Sequence, residues 1–390
     1  MRRDAAIIGT GYSAIARHGS RPLGALALEA LTAAAAEAGV KVEDIDGLCA
    51  FTSPARIGGP TPIDGIDVVT GPYLTSLLPL RKLRWSCSIA PGSFLGAVVE
   101  ARNAIAAGQC DIVAVWRAMH NPPGRYGRFT ASSGAGIDQF TAPYGLSDNI
   151  TAIALPYSRY MALYGAARRD MATVVVNSRK NAASNADAVF YRRPVTEEEY
   201  LDSRMISEPL SLLDCDMPVD GCGVVLVGAM STSGGGNFES VRIKAGSATL
   251  TRQASTVRYD LSVLQEGARL VGENLWQEAG LGPQDVNVVN VYDGFSFFIY
   301  LWLEGLGFCG EGEAPAFVQG GRIDVTGPLP LNTSGGSLGM GRLHGPPQVI
   351  ESVRQLQGRC GERQVERPEV AVATNGNPGK APAAMVLSVR

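Results

Sequence analysis

Leu23-Gly24-Ala25-Leu26-Ala27-Leu28-Glu29-Ala30-Leu31-Thr32-Ala33-Ala34-Ala35-Ala36-Glu37-Ala38 is followed by Gly39 and then by Val42-Glu43-Asp44-Ile45-Asp46-Gly47-Leu48-Cys49-Ala50-Phe51. Alanine and leucine are strong helix formers, and apolar side chains at 23, 26, 27, 28 and 31 predict a helix with one buried face. Gly39 predicts its end, because glycine readily takes the left-handed conformation that closes helices. The second stretch reads as a turn followed by a strand. The same order recurs in Leu261 to Tyr292: a helix to Ala279, a glycine turn with an aspartate, and the apolar strand Val286-Asn287-Val288-Val289-Asn290-Val291-Tyr292. A duplicated α/β unit follows from the pattern, without identity between the copies.

Outward from these units, Ala5 to Ile8 predicts a first strand entering a glycine turn at Gly9-Thr10-Gly11-Tyr12. A helix is expected from near Gly92 through Leu95 to Ile105, stopped by Gly108, before a strand at Asp111 to Trp116. Strand, helix and strand with short connections describe a sheet covered by helices. Small residues at Gly92, Ser93, Gly96 and Ala97 predict that this helix packs very closely or lies buried between two layers. From about 117 to 215 the character changes to an inserted loop domain. It carries Pro122-Pro123-Gly124, Ala131-Ser132-Ser133-Gly134-Ala135-Gly136, the basic pairs Arg168-Arg169, Arg179-Lys180 and Arg192-Arg193, and helices at Thr151 to Tyr164 and Asp170 to Ala183. Strand character returns at Gly223 to Gly228. Ser231 to Gly236 connects an N-terminal half, 1–235, to a C-terminal half, 236–390. The second half continues with strands at Val241 to Ala245, Val370 to Thr374 and Ala384 to Val389, and helices at Phe297 to Leu306 and Pro346 to Gln357.

Composition excludes several classes. The chain has 390 residues, 45% of them hydrophobic, enough for a sizeable core and too many for a disordered chain. A net charge of -3 gives no basic surface for nucleic acid. No apolar run approaches the roughly 18 residues of a membrane span, and the N-terminal apolar stretch is too short for a signal peptide. The seven cysteines are scattered, with no C-x-x-C pair, which argues against a disulfide framework or zinc knuckle and for a reduced, cytoplasmic protein.

Four stretches have the residue types for chemistry, each with a plain structural alternative. Leu331 to Pro347 carries Gly335, Gly336, Gly339, Gly341 and Gly345 together with Asn332, Arg342 and His344. Such a loop brings backbone N–H groups close to an oxyanion, or is a surface loop with a solvated histidine. Tyr292-Asp293-Gly294-Phe295 sits where a strand gives way to a helix, the end of an α/β sheet at which ligands bind; otherwise Tyr292 is a core residue and Asp293 a helix N-cap. Trp85-Ser86-Cys87-Ser88-Ile89-Ala90-Pro91-Gly92-Ser93 leads into the buried helix. Cys87 or Ser93 there is a candidate nucleophile or a small buried side chain. Gly9-Thr10-Gly11 lacks the third glycine of a dinucleotide fingerprint and predicts no nicotinamide site.

Taken in order, five stretches resemble the thiolase superfamily, in its lipid-transfer-protein or sterol-carrier-protein-type branch. They are Glu43-Asp44-Ile45-Asp46-Gly47; Ala104-Ile105-Ala106-Ala107-Gly108-Gln109-Cys110-Asp111; Pro194-Val195-Thr196-Glu197-Glu198 with Ser203 to Leu210; Asp220-Gly221-Cys222-Gly223; and Asn332-Thr333-Ser334-Gly335-Gly336. The resemblance implies an α/β fold, a five-layer αβαβα sandwich of two duplicated halves with an inserted lid-like loop domain. It also implies a homodimer and acyl-CoA substrates. The family's nucleophilic cysteine falls at Pro91, and its second cysteine around Asn375-Gly376-Asn377. The histidine of the glycine loop falls at Arg342, and that of the His-Asp-Cys-Phe motif at Tyr292. Covalent acyl transfer needs an activated thiolate and a base, which argues against ordinary thiolysis.

A subset of the branch that has lost both cysteines consists of retro-aldol lyases of sterol or bile-acid side chains. These work with a small partner, an OB-fold protein with a zinc ribbon. That subset implies non-covalent cleavage of a β-hydroxyacyl-CoA here, with Tyr292 transferring the proton and Asp293 orienting it or shifting its pKa. The subset's second tyrosine is Arg342 in this chain, which is expected to stabilise a phenolate or the enolate oxygen, with His344 as a further acid/base. Oxyanion or substrate contacts are expected from Gly92, Ser93, Asn332, Gly335 and Gly336. Neither a metal nor a bound cofactor is expected, the CoA thioester being the substrate. The alternatives are an atypical thiolase or acyltransferase using Cys87 or Ser93, and a non-catalytic acyl-CoA or lipid-binding scaffold.

Overall fold

The computed structural model describes residues 3–52, 65–66, 68–89, 93–120, 139–146, 148–230, 236, 238–251 and 260–389. The first half runs β1 (Ala5–Tyr12), α1 (Leu23–Ala38), β2 (Gly47–Phe51), α2 (Gly71–Leu77), β3 (Trp85–Ile89), α3 (Phe94–Ala106) and β4 (Ile112–Met119). An inserted stretch follows, with α4 (Asn149–Tyr164), α5 (Arg168–Ala183), α6 (Glu197–Leu201) and the hairpin β5 (Met205–Ser207) and β6 (Leu210–Ser211), before β7 (Gly221–Ala229). The second half runs β8 (Val241–Ala248), α7 (Leu261–Ala279), β9 (Val288–Asn290), α8 (Phe297–Gly305), α9 (Ala314–Phe317), α10 (Gly336–Gly339), α11 (Pro346–Leu356), β10 (Val370–Asn375) and β11 (Ala383–Ser388). The predicted stops hold at α1 and α7, where Gly39 and Gly280 take φ 65° and 62°.

Two local expectations are corrected. Gly9-Thr10-Gly11 is not a turn but the middle of β1. Its glycines serve close packing: a Cβ at Gly9 would lie 2.3 Å from the Ala34 carbonyl oxygen, and one at Gly11 2.1 Å from that of Ala30. The strand expected to reach Tyr292 ends at Asn290. Beyond it, side chains replace the sheet ladder, for Val291 N–H donates to Asn332 Oδ1 (2.7 Å) and Tyr292 N–H to Thr374 Oγ1 (2.9 Å). The Pro122 and Ala131 stretches, and 231–235 of the connecting segment, lie outside the described residues.

Among the described residues nine strands form one sheet, in the order β3-β2-β4-β7-β1-β8-β11-β10-β9. Outward from its centre, β1-β7-β4-β2 pair antiparallel, antiparallel, parallel. On the other side β8-β11-β10-β9 repeat that sequence of senses. The halves meet at an antiparallel contact of Ala6 with Arg242 and Ile7 with Val241. This symmetry is the duplication in three dimensions.

Strand alternation sorts the apolar side chains into layers. Ile8, Ala114, Trp116, Val224 and Leu226 face α1 on the outside. Ile7, Val113, Val115, Val225 and Val227 face inward, onto Phe94, Leu95 and Val98 of α3 and Val349, Ile350 and Val353 of α11. On the far side Ala371, Ala373 and Met385 close the same central core. Val289, Val372 and Val386 point outward, to α7 and α8. The result is the expected five-layer αβαβα sandwich, with α3 and α11 as its middle layer. Helices α4 and α5 of the insertion join the outer core of the second half, where Tyr157 stacks on Phe297 with ring centroids 4.7 Å apart.

Candidate active site

The turn after β9 and the glycine loop lie against each other, joined by hydrogen bonds from Val291 N–H to Asn332 Oδ1 and from Ser337 N–H to Asp293 Oδ1, both 2.7 Å. Tyr292 is half-buried there, its ring 6.1 Å from Phe298 and edge-on to His344 at 6.5 Å. Burial pushes its phenol well above the ordinary value; Asp216 adds to the rise and Arg342 opposes it. His344, at φ 55°, moves the other way, since burial and the charges of Arg342 and Arg117 press its imidazole well below 6.5. The two ring side chains are thus set apart, the phenol kept protonated and the imidazole kept uncharged.

Asp293 is not the N-cap of α8, and its charge is among those that raise Tyr292. Its carboxylate accepts the N–H groups of Ser337 (2.7 Å) and Leu338 (3.2 Å) and the Gln348 carboxamide (3.1 Å). It fastens the glycine loop to the β9 turn and caps α10 rather than α8. Burial outweighs these donors and lifts it to about 7.

The glycine loop is buried, not a surface loop. Gly335 N–H donates to the Asn332 carbonyl (2.8 Å) and Gly336 N–H to Ser334 Oγ (3.3 Å), so both donors are engaged within the loop. Their φ values of 99° and 60° and their surroundings explain the glycines: a Cβ at Gly335 would meet Ala182 of α5 at 2.6 Å, and one at Gly336 would meet Asp293 Oδ2 at 2.1 Å. Asn332, at φ 47°, uses its Oδ1 on Val291. A feature missed in the sequence clamps this loop. Asn177 and Asn181 of α5 and Asn185 just beyond its end, spaced by four, donate to the carbonyls of Ile323, Leu331, Asn332 and Ser334 at 3.0–3.2 Å. Asparagine at that spacing on an otherwise apolar helix face is the signal.

Two buried cations, Arg342 and Arg117, lie near Tyr292. Arg342 is 5% exposed, with Nε 3.9 Å from Asp216 Oδ1. Arg117 of β4, 2% exposed, donates to the Phe51 carbonyl (2.9 Å) and lies over the Phe51 ring at 4.5 Å. Burial, and then the charge of Arg342, lower it to about 9. Neither Asp216 nor Arg117 was singled out by sequence.

At the start of α3, Asn375 Oδ1 accepts the N–H groups of Phe94 (2.9 Å) and Leu95 (3.4 Å), and Ser93 Oγ that of Gly96 (3.1 Å). The amides of Phe94, Leu95 and Gly96 at this helix start are thus bonded within the chain. Gly345, next to His344, runs so close that a Cβ would lie 2.5 Å from Asn375 Oδ1. Gly92 and Pro91 lie outside the described residues. All seven cysteines are free thiols. Burial raises six of them: Cys110 and Cys309 to about 12, and Cys49, Cys215, Cys222 and Cys360 beyond. Cys87, the seventh, is on edge strand β3 opposite Cys49. Reactive cysteines need the opposite shift.

Residues 246–389 match the thiolase C-terminal domain-like family. The chain is 37% identical to the 17-hydroxy-3-oxo-4-pregnene-20-carboxyl-CoA lyase of Mycobacterium tuberculosis, over 91% of this chain and 92% of that one. It belongs to the thiolase superfamily. Within that superfamily it falls in the cysteine-less, steroid side-chain aldolase subset. It is also 33% identical to the steroid side-chain-cleaving aldolase of Thermomonospora curvata, over 91% of this chain and 90% of that one. The solved Ltp2-ChsH2(DUF35) aldolase superposes with a TM-score of 0.88 at 30% identity, covering 99% of this chain and 97% of that one. Human mitochondrial 3-ketoacyl-CoA thiolase shares the fold, with a TM-score of 0.68 at 13% identity and coverage of 99% and 98%. This thiolase-superfamily chain shares its fold with that thiolase and gathers Tyr292, Arg342 and His344 after β9 and in the glycine loop.

Proposed function

We infer that this chain is an aldolase, a carbon–carbon lyase that cleaves a β-hydroxyacyl-CoA of a steroid side chain without a covalent intermediate. The observation that carries this reading is Asn375: a carboxamide, not a thiol, stands over the N-terminus of the central helix. Names of the M. tuberculosis and T. curvata relatives point to the same reaction and to steroid substrates.

In the proposed reaction neutral His344 takes the β-hydroxyl proton. The O–H electron pair becomes the new carbonyl, the Cα–Cβ bond breaks, and its electrons pass to the thioester enolate. Arg342 meets the enolate oxygen; a preorganised donor of this kind is typically worth about 3 kcal/mol. Tyr292, held protonated, gives its proton to Cα, and the imidazolium returns one to the phenolate. Protons and electrons balance with no external reactant, and CoA belongs to the substrate. Asp293 orders the loop that carries Arg342 and His344. The acyltransferase alternative has less support, since the Ser93 hydroxyl is engaged as a helix cap and Cys87 faces Cys49.

The solved relative is a complex of Ltp2 with ChsH2(DUF35), and a small OB-fold, zinc-ribbon partner of this kind is proposed here, on a homodimer of this chain. Strand β3 closes one end of the sheet, an edge suited to pairing with a second copy. Seven free thiols fit the cytoplasm, and no helix among the described residues is long and apolar enough to cross a membrane. The test is to purify the chain with its partner and incubate it with 17-hydroxy-3-oxo-4-pregnene-20-carboxyl-CoA. A steroid ketone and a shortened acyl-CoA are expected in equal amounts. Mass gain on the protein from an acyl-CoA, with no ketone formed, overturns the aldolase reading.

A further inference from the structure

Asp214-Cys215-Asp216-Met217-Pro218 bonds both to the turn after β9 and to the glycine loop. On one side Cys215 bridges to Phe295, and Asp216 N–H donates to the Gly294 carbonyl at 3.3 Å. On the other, Met217 N–H donates to the Ser337 carbonyl (3.3 Å), Arg342 N–H to the Met217 carbonyl (2.8 Å), and Pro218 bridges to Arg342. The turn bearing Tyr292 and the loop bearing Arg342 are therefore registered against one another by this segment. Asp216, 3% exposed, places its carboxylate between them.

We propose that Asp216 is a positioning residue for carbon–carbon cleavage, its carboxylate fixing the Arg342 guanidinium beside Tyr292. The ion pair has Arg342 Nε 3.9 Å from Asp216 Oδ1, with both side chains buried, so solvent screens it little. The same negative charge is felt by the neighbouring acids: it raises Tyr292 more than Asp293 does, and it raises Asp293 itself. Among the described residues, the charged and titratable groups around Tyr292 include Asp216, Asp293, Arg342, Arg117 and His344. Asp216 thus acts on the reaction through two other side chains, aiming the cation and keeping the phenol in its donating form. This rests on the aldolase reading above.

The experiment compares wild type, Asp216→Asn and Asp216→Glu, each with the partner protein, by the pH dependence of ketone release from 17-hydroxy-3-oxo-4-pregnene-20-carboxyl-CoA. Asp216→Asn is expected to lose at least about tenfold in kcat, with KM changed much less, because the lost interaction serves the transition state. Its alkaline limb should move to lower pH, as the phenol loses the charge that held its proton. Asp216→Glu keeps the charge on a longer arm. It should retain the wild-type pH profile at a several-fold lower kcat, and it reads the proposal even if the Asn variant does not fold. Wild-type kcat and profile in a folded Asp216→Asn, or an Asn-like shift in Asp216→Glu, overturns the role of Asp216. Absence of turnover by the wild-type complex overturns the aldolase reading instead, and that control separates the two failures.

Discussion

Asn375 Oδ1 accepts the Phe94 N–H at 2.9 Å, so the last residue of β10 caps the helix at the centre of the sandwich. In the thiolase pattern this end of the chain brings a sulfur to the same neighbourhood. Here the site is occupied by a carboxamide that satisfies amides otherwise orphaned in a dry core. Asn375→Ala should therefore destabilise the fold by about 1–3 kcal/mol, the cost of leaving buried donors unmet. Urea unfolding of the two proteins measures it, and equal midpoints would show that the cap is not needed.

Tyr292→Phe removes one oxygen and leaves the ring stacked on Phe298. Proton transfer by a positioned side chain contributes roughly 10²–10⁴-fold, and kcat should fall by that order with little change in KM. Thermal stability should stay near wild type, because the ring keeps its contacts with Phe298 and His344. Unchanged turnover removes Tyr292 from the mechanism.

What the sequence disclosed follows the range of the physics involved. Helices α1 and α7 were readable to the residue because apolar spacing and a terminal glycine are local signals. Gly9-Thr10-Gly11 misled because an apolar run entering glycines has one appearance in a turn and in a strand pressed by a helix; only the Ala30 and Ala34 carbonyls of α1 decide it. Tyr292, Arg342 and His344 were legible from their places at a strand end and in a glycine loop, and the structure brings them together. Gly335 and Gly336 were read as donors, whereas the contacts that require glycine there come from Ala182 and Asp293, distant in sequence. Asp216 and Arg117 were invisible for a related reason. A charged residue reads as surface until its burial is known, and Asp216 gains its meaning from Gly294 and Arg342.

Asp293 makes a stability prediction with a definite sign. Its carboxyl is raised from 3.8 to about 7, so the folded chain binds more protons than the unfolded one between those values. Its favourable contribution is complete below pH 3.8 and is lost as the pH rises through about 7. Asp293→Asn carries no such term. Wild-type stability relative to that variant should decline by more than about 1 kcal/mol from pH 5 to pH 8, one pKa unit being 1.36 kcal/mol. A difference in unfolding free energy that stays flat over this range would contradict the raised carboxyl.

His344 supplies the opposite sign and the catalytic test. Its lowered pKa leaves the imidazole neutral at and below the usual 6.5, so kcat/KM should hold as the pH drops past that value and fall only further down. Stability behaves likewise: below 6.5 the unfolded chain takes up a proton that the folded pocket refuses, and the fold weakens as the pH falls. Asparagine is the informative replacement, because it tolerates the left-handed φ of 55° at this position while providing no base. His344→Asn should lose roughly 10²–10⁴-fold in kcat, lose the acid limb of the pH–rate profile, and become less acid-sensitive than wild type. A folded His344→Asn that keeps both its rate and its acid limb would assign the proton of the β-hydroxyl to another group, with Asp216 the first to examine, because its carboxylate already lies within the Tyr292 and Arg342 cluster.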